Sequence, residues 1–115
     1  MKLLQIVPRD RTHLFGAIVK KQAEIRRSGR GTFVRAAGKR RNAARWTHVR
    51  YRGSVRLAPA AEDAVAVEIK SPERGDEARL VSSFLGWLDR HFGDRLASVN
   101  IQYEPQRAGR RGGRA

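Results

Sequence analysis

The stretch from Val49 to Leu57 alternates between two kinds of residue, and this pattern constrains the fold more than any other feature. Its odd-numbered positions are apolar or glycine, and the positions between them are Arg50, Arg52, Ser54 and Arg56. Side chains alternate between the two faces of a strand with a period of two. The pattern therefore predicts one long strand over 47–58, with a covered apolar face and an open basic face. A hairpin turning at Arg52-Gly53 is the alternative, and the uninterrupted alternation favours the single strand, in which Gly53 marks a bend or bulge.

The other apolar patterns predict the element order (β)αβββαβ. Strands are predicted at 2–7, 32–36, 65–70 and 98–103, and helices from Asp10 or Thr12 to about Arg27 and over 77–92. Strands joined by short turns indicate an antiparallel meander that helices cover on one face. We expect an α+β fold: a mostly antiparallel sheet of four to five strands with two helices packed on one face.

The length of 115 residues suits one small domain. We expect the α+β domain to cover 1–104 and a flexible tail rich in arginine and glycine to cover 105–115. No apolar run is long enough to predict a membrane span, and the absence of cysteine excludes a disulfide framework and a thiolate metal site. No glycine-rich phosphate loop stands between a strand and a helix, so no cofactor is expected. A cytoplasmic location is expected.

The distribution of charge points to a polyanionic partner. The chain has 25 basic and 11 acidic residues, for a formal net charge of +14. Residues 1–60 hold 16 of the basic residues and only two acids, whereas residues 61–105 hold five basic residues and nine acids. Such asymmetry is typical of proteins that bind nucleic acid, an anionic surface or an acidic protein. An arginine-rich composition explains the number of arginines but not their concentration in one half.

The candidate nucleic-acid-binding residues come from the open sheet face, a basic loop over 38–44 and the tail. They are Arg35, Lys39, Arg40, Arg41, Arg45, Trp46, His48, Arg50, Arg52, Arg56, Arg110, Arg111 and Arg114. Basic side chains neutralise phosphates, and an exposed indole at Trp46 can stack on an unpaired base. The absence of a helix-turn-helix signature favours RNA or single strands over specific duplex DNA. The alternative is a solvated sheet face, with Trp46 folded into the core.

Two other functions stay open. In the first, the chain is an interaction module that binds an acidic protein or forms a homodimer through its sheet. The second starts from the strand over 64–70, which contains Glu68-Ile69-Lys70. This motif and the element order are similar to the core of the PD-(D/E)-x-K nucleases. The resemblance implies that Glu68 holds a metal ion and that Lys70 lies near the attacking water. The preceding strand has no acid to complete such a site. The resemblance therefore leaves open a metal-dependent nuclease or an inactive relative of one, and we expect a protein that is not an enzyme. An exposed ion pair is the other interpretation of Glu68 and Lys70.

Overall fold

Two helices and six strands make up the part of the chain that the structure, a computed structural model, describes: residues 1–10, 13–36 and 42–103. The strands are β1 (Lys2–Pro8), β2 (Phe33–Arg35), β3 (Ala44–His48), β4 (Ser54–Pro59), β5 (Val65–Lys70) and β6 (Leu96–Tyr103). The helices are α1 (Leu14–Arg27) and α2 (Arg74–Phe92), with short 3₁₀ turns at Ala61–Asp63 and Gly93–Arg95. The predicted tail and Lys39, Arg40 and Arg41 of the basic loop lie outside the described residues.

The six strands form one sheet in the order β2-β3-β4-β5-β1-β6. Every neighbouring pair is antiparallel. Strands β2 to β5 form the predicted meander, and β1 lies between β5 and β6. Because β5 and β6 both run antiparallel to β1, they are parallel to each other, and α2 connects them as a split βαβ unit. The predicted α+β class is confirmed, with six strands instead of four to five.

Both helices cover the same face of the sheet, as predicted. Alternate strand residues turn towards one side, as where Leu4 of β1 lies opposite Val67 of β5. Helix α1 brings Leu14 and Ile18, four residues apart on one helix face, onto that side. Helix α2 covers it with Leu80, Phe84 and Leu88, which have the same spacing. All of these side chains are buried in one apolar cluster, which is the core of the protein. We call the opposite, helix-free side of the sheet the outer face.

The predicted long strand over 47–58 is wrong, because the chain reverses direction between β3 and β4. Trp46 lies opposite Val55, and Arg45 lies opposite Arg56. Directly opposed residues of an antiparallel pair share a face. Even-numbered residues of β3 therefore face the helices, whereas in β4 it is the odd-numbered residues that do. Val49, predicted to be covered, is 61% exposed in the turn. A hairpin forms, as in the alternative, but its turn covers residues 49–53 and not Arg52-Gly53 alone.

The turn over 49–53 depends on contacts outside itself. The Nδ1 atom of His48 accepts hydrogen bonds from the backbone N–H groups of Arg50 (3.0 Å) and Tyr51 (3.4 Å). The Asp76 carboxylate at the start of α2 accepts one from the backbone N–H of Arg52 at 2.9 Å. Gly53 has a φ of +126°, a conformation that residues with a side chain rarely adopt. These hydrogen bonds and the conformation of Gly53 stabilise the turn, so that β3 ends at His48 and β4 begins at Ser54.

We expect Gly53→Ala to destabilise the protein by roughly 2 kcal/mol or more, because it combines a strained φ with steric overlap. The new methyl group would clash with the carbonyl oxygen of Lys70 and lie 2.7 Å from the Leu80 side chain. Gly86→Ala in α2 is the matched control. A Cβ at Gly86 meets nothing within 4 Å, and alanine favours the helix by about 0.5–1 kcal/mol.

Urea denaturation of both variants measures the difference in the free energy of unfolding. Equal shifts in the two midpoints would contradict the assigned role of Gly53 in the turn.

Candidate functional site

The outer face carries part of the predicted basic surface. Arg45 and Arg56 lie side by side on β3 and β4, and Lys70 at the end of β5 lies opposite Ser54. The guanidinium of Arg56 is 4.0 Å from the carboxylate of Glu68. Ser98, Asn100 and Gln102 of β6 share this face through their pairing with β1. The outer face is therefore polar, and its basic side chains are concentrated on β3, β4 and the end of β5.

Trp46 does not lie on the outer face, and the prediction of an exposed indole there is wrong. The side chain has no solvent exposure and packs between Phe33 and Trp87, with ring centroids 5.7 and 5.3 Å away. The physical reason is the hairpin, which turns the even-numbered residues of β3 towards the helices. His48 follows the same parity and is half-buried on the helix side. A base cannot stack on Trp46 while the core is intact.

The remaining predicted arginines are divided between different places. Arg35 is half-buried and lies opposite Trp46 at the end of β2. Arg50 and Arg52 belong to the turn and not to the open face of a strand. The guanidinium of Arg52 lies 4.0 Å from the Glu73 carboxylate. Lys39, Arg40, Arg41, Arg110, Arg111 and Arg114 lie outside the described residues. The predicted single basic surface is thus split between the outer face and the turn.

A cleft opens where the β3–β4 turn meets α2, and we call it the turn cleft. Its volume is about 350 Å³. It is lined by Thr32, Phe33, His48, Val49, Arg50, Tyr51, Ser83, Trp87 and Arg90. This size is at the lower end of the range for small-molecule sites. The end of β3 and the turn contribute His48 to Tyr51. Helix α2 contributes Ser83, Trp87 and Arg90, which lie on one face of the helix. The hairpin thus creates the cleft together with α2.

Aromatic rings form much of the wall of the turn cleft. The rings of His48 and Tyr51 are stacked with centroids 4.7 Å apart, and Phe33 meets the edge of His48 at 5.1 Å. On the other side of Tyr51, the Arg79 guanidinium lies 5.9 Å from the ring centroid. Trp87 lines the cleft and is continuous with the aromatic core through Trp46. The cleft wall therefore contains aromatic residues that are anchored in the core.

Arginines make the turn cleft electropositive. No described carboxylate lies within ion-pair distance of Arg50 or Arg90. Burial lowers the pKa of His48, and the charge of Arg50 lowers it further. Burial likewise lowers the pKa of His91, which also faces the charges of Lys21 and Arg90. Both histidines are therefore neutral at neutral pH. The permanent positive charge of this region comes from its arginine and lysine side chains, which favour a bound anion.

The Glu-x-Lys motif lies on the outer face, away from the turn cleft. Glu68 is flanked across the sheet by Leu3 on β1 and Arg56 on β4. Among residues 1–10, 13–36 and 42–103, no three histidine, cysteine or acidic side chains form a group that could hold a metal ion. On the two neighbouring strands, the residues directly opposite Glu68 are thus not acidic. No helix in the described ranges is long and apolar enough to cross a membrane.

Sequence reasoning missed the contribution of α2 to this site. Ser83, Trp87 and Arg90 lie far from the basic half of the chain in sequence, and only the packing of α2 against the turn brings them to Arg50. The one available signal is their spacing, because residues three and four apart share a helix face. Comparison of the chain with protein-family models, curated proteins and solved structures finds no match.

We expect Arg50→Gln to raise the pKa of His48 towards its usual value, because the substitution removes the charge but keeps a similar length. Burial is the larger cause of the lowered pKa, so the rise should be partial. Arg45→Gln, on the outer face, is the control and should leave the His48 pKa unchanged. Titration of the histidine ring by NMR measures both.

The same lowered pKa fixes the sign of a stability change with pH. The folded protein binds this proton less readily than the unfolded chain, so the free energy of unfolding should fall as the pH drops below about 6.5. Protonation of Nδ1 also removes the acceptor for two backbone N–H groups of the turn. A pKa of His48 at or above its usual value would contradict this description of the turn.

Proposed function

We propose that this chain is a small, basic, non-enzymatic nucleic-acid-binding protein, and that it takes RNA or single strands in preference to a specific duplex sequence. One observation carries the proposal. Arg50 and Arg90, with no described carboxylate partner, flank an aromatic-walled cleft of about 350 Å³ in a chain of net charge +14. The two guanidinium charges suit phosphate groups, and a cleft lined by both aromatic and hydroxyl side chains suits a base, so the turn cleft offers a place for each part of a nucleotide.

The arginines supply the phosphate contacts. Guanidinium groups bind phosphate oxygens in a bidentate manner, and each neutralised phosphate releases counterions from the nucleic acid. Arg50 and Arg90 would take the phosphates that flank a base in the turn cleft. On the outer face, Arg45, Arg56 and Lys70 add positive charge that binds the rest of the nucleic-acid strand. Such binding weakens steeply as salt rises.

The shape of the turn cleft supports the preference for single strands. A base in a duplex is stacked and paired, so only an unpaired base can enter the turn cleft. The hydroxyl groups of Thr32 and Ser83 line the same cleft and can donate to or accept from a base edge. An acidic protein would use the arginines but would leave the cleft unoccupied.

We expect the double variant Arg50→Ala, Arg90→Ala to bind a single-stranded RNA of about ten nucleotides roughly 10–100-fold more weakly. The dependence of log affinity on log salt should become shallower by about one to two units, because two phosphate contacts are lost. Fluorescence anisotropy at several salt concentrations measures both quantities.

The matched control is Lys20→Ala, Arg27→Ala, which removes the same charge from exposed positions of α1. It should lose much less affinity than the cleft variant. Equal losses would show that charge acts diffusely and that the turn cleft is no site. Heparin or duplex DNA binding as tightly as RNA would favour a general polyanion surface, and hence the acidic-protein alternative.

We also expect saturation with the RNA to change tryptophan emission through Trp87. The chain has two tryptophans, of which Trp87 lines the turn cleft and Trp46 is enclosed in the core. The change should persist in Trp46→Phe and vanish in Trp87→Phe. Binding without any emission change would place the RNA on the outer face instead.

A further inference from the structure

Strand β6 is an open edge of the sheet. It pairs with β1 on one side, and no described strand pairs with its other side. In an antiparallel strand alternate residues direct their N–H and C=O groups to opposite sides. Half of the backbone groups of Leu96–Tyr103 therefore point away from the sheet, ready to pair with another strand.

The sequence of β6 lacks the usual protection of an edge. Monomeric proteins blunt such strands with charged residues, proline or a bulge. Leu96–Tyr103 contains no charged residue and no proline, although 31% of the whole chain is charged. The register shift opposite Val7 and Pro8 affects only the first residues of β6 and leaves Ser98 to Tyr103 regularly paired. The opposite edge strand, β2, has only three residues and ends in Arg35.

The helix side of β6 carries an apolar row that the helices leave largely uncovered. Val99 is half-buried, Ile101 is 40% exposed and Tyr103 is 69% exposed. Ile101 and Tyr103 are two of the three large apolar side chains that are exposed in the described part of the chain. The backbone edge and the apolar row coincide, so a single added strand would cover both.

We propose that β6 pairs antiparallel with β6 of a second copy of this chain and joins the two sheets into one of twelve strands. The residues of β6 select this occupant, because those on either side of Ile101 match one another: Val99 with Tyr103, and Asn100 with Gln102. A net charge of +14 makes two copies repel each other, and β6 adds no charge of its own to that repulsion. The Lys2 ammonium, which lies 4.9 Å from the centroid of the Tyr103 ring, is already bound to Glu77 and is not free to neutralise an acidic peptide.

A two-fold axis normal to the sheet brings side chains of similar chemistry from the two copies together. It keeps the helices of both copies on the same side, so the two apolar rows meet. With the axis at Ile101, this residue contacts its own counterpart, and Val99 lies beside the partner's Tyr103. On the outer face, Asn100 lies beside the partner's Gln102, and both amides can donate and accept hydrogen bonds. Each uncharged side chain thus meets one of the same character.

The first experiment is sedimentation equilibrium of the full chain without nucleic acid. We expect a concentration-dependent dimer, and Ile101→Lys should weaken it by about tenfold or more, because the axis then brings two lysines together. Ala23→Lys is the matched control. Ala23 is exposed on helix α1, so the same charge is added away from the edge strand. Circular dichroism confirms that both variants are folded.

Two further measurements locate the contact. Hydrogen exchange of those β6 amides that point away from β1 should slow as the concentration rises, and this effect should disappear in Ile101→Lys. Since the chain has no cysteine, Ile101→Cys introduces a single thiol. It should form a disulfide-linked dimer on mild oxidation, whereas Ala23→Cys on α1 should form far less.

A chain that stays monomeric at several hundred micromolar would overturn the proposal. So would equal weakening by the two lysine variants, or exchange of β6 amides that is independent of concentration. None of these measurements involves RNA, so failure here is distinguishable from failure of the proposed function.

Discussion

The backbone reversal between His48 and Ser54 sets which side chains of β3 face the helices, and the positions of core and cleft follow from it. Gly53 can adopt the required φ and leaves room for the Lys70 carbonyl and Leu80. His48 and Asp76 accept hydrogen bonds from the N–H groups that the turn would otherwise leave unpaired. With this turn in place, Trp46 is enclosed among the aromatic side chains of β2 and α2 instead of facing solvent.

The placement of the acidic residues explains why the turn cleft stays positive. Several acids at the start of α2 are engaged elsewhere. Glu77 binds the N-terminal ammonium at 2.7 Å and the Lys2 ammonium. Burial acts to raise the pKa of Glu77, but these two hydrogen-bonded charges outweigh it and hold the pKa below its usual range. Asp76 accepts from the turn backbone and lies 3.7 Å from Arg79. These carboxylates thus connect β1, the turn and α2 to one another, and neither of them neutralises Arg50 or Arg90.

The two proposed surfaces lie at different ends of the sheet. The turn cleft adjoins β2 and β3, whereas the open edge is β6, at the far side of the strand order. Pairing through β6 would therefore leave both clefts of a dimer unobstructed, at the outer ends of the joined sheet. Two linked sites can engage one long strand together, which strengthens binding without any new contact. The neutral character of β6 and the basic character of the cleft keep these two roles apart.

The sequence by itself determined the α+β class, both helices and most strands, because these depend on periodicity along one continuous segment. It also determined the strong positive charge and placed Arg56 on the helix-free face. Alternation alone did not reveal that 47–58 is a hairpin, because an apolar residue such as Val49 continues the pattern in a turn as well as in a strand. Only the tertiary structure decided that Trp46 is core and that Arg90 lies beside Arg50. The physical reason is that a turn stabilised by Asp76 and α2 depends on groups that are distant in sequence, and no local pattern reports them.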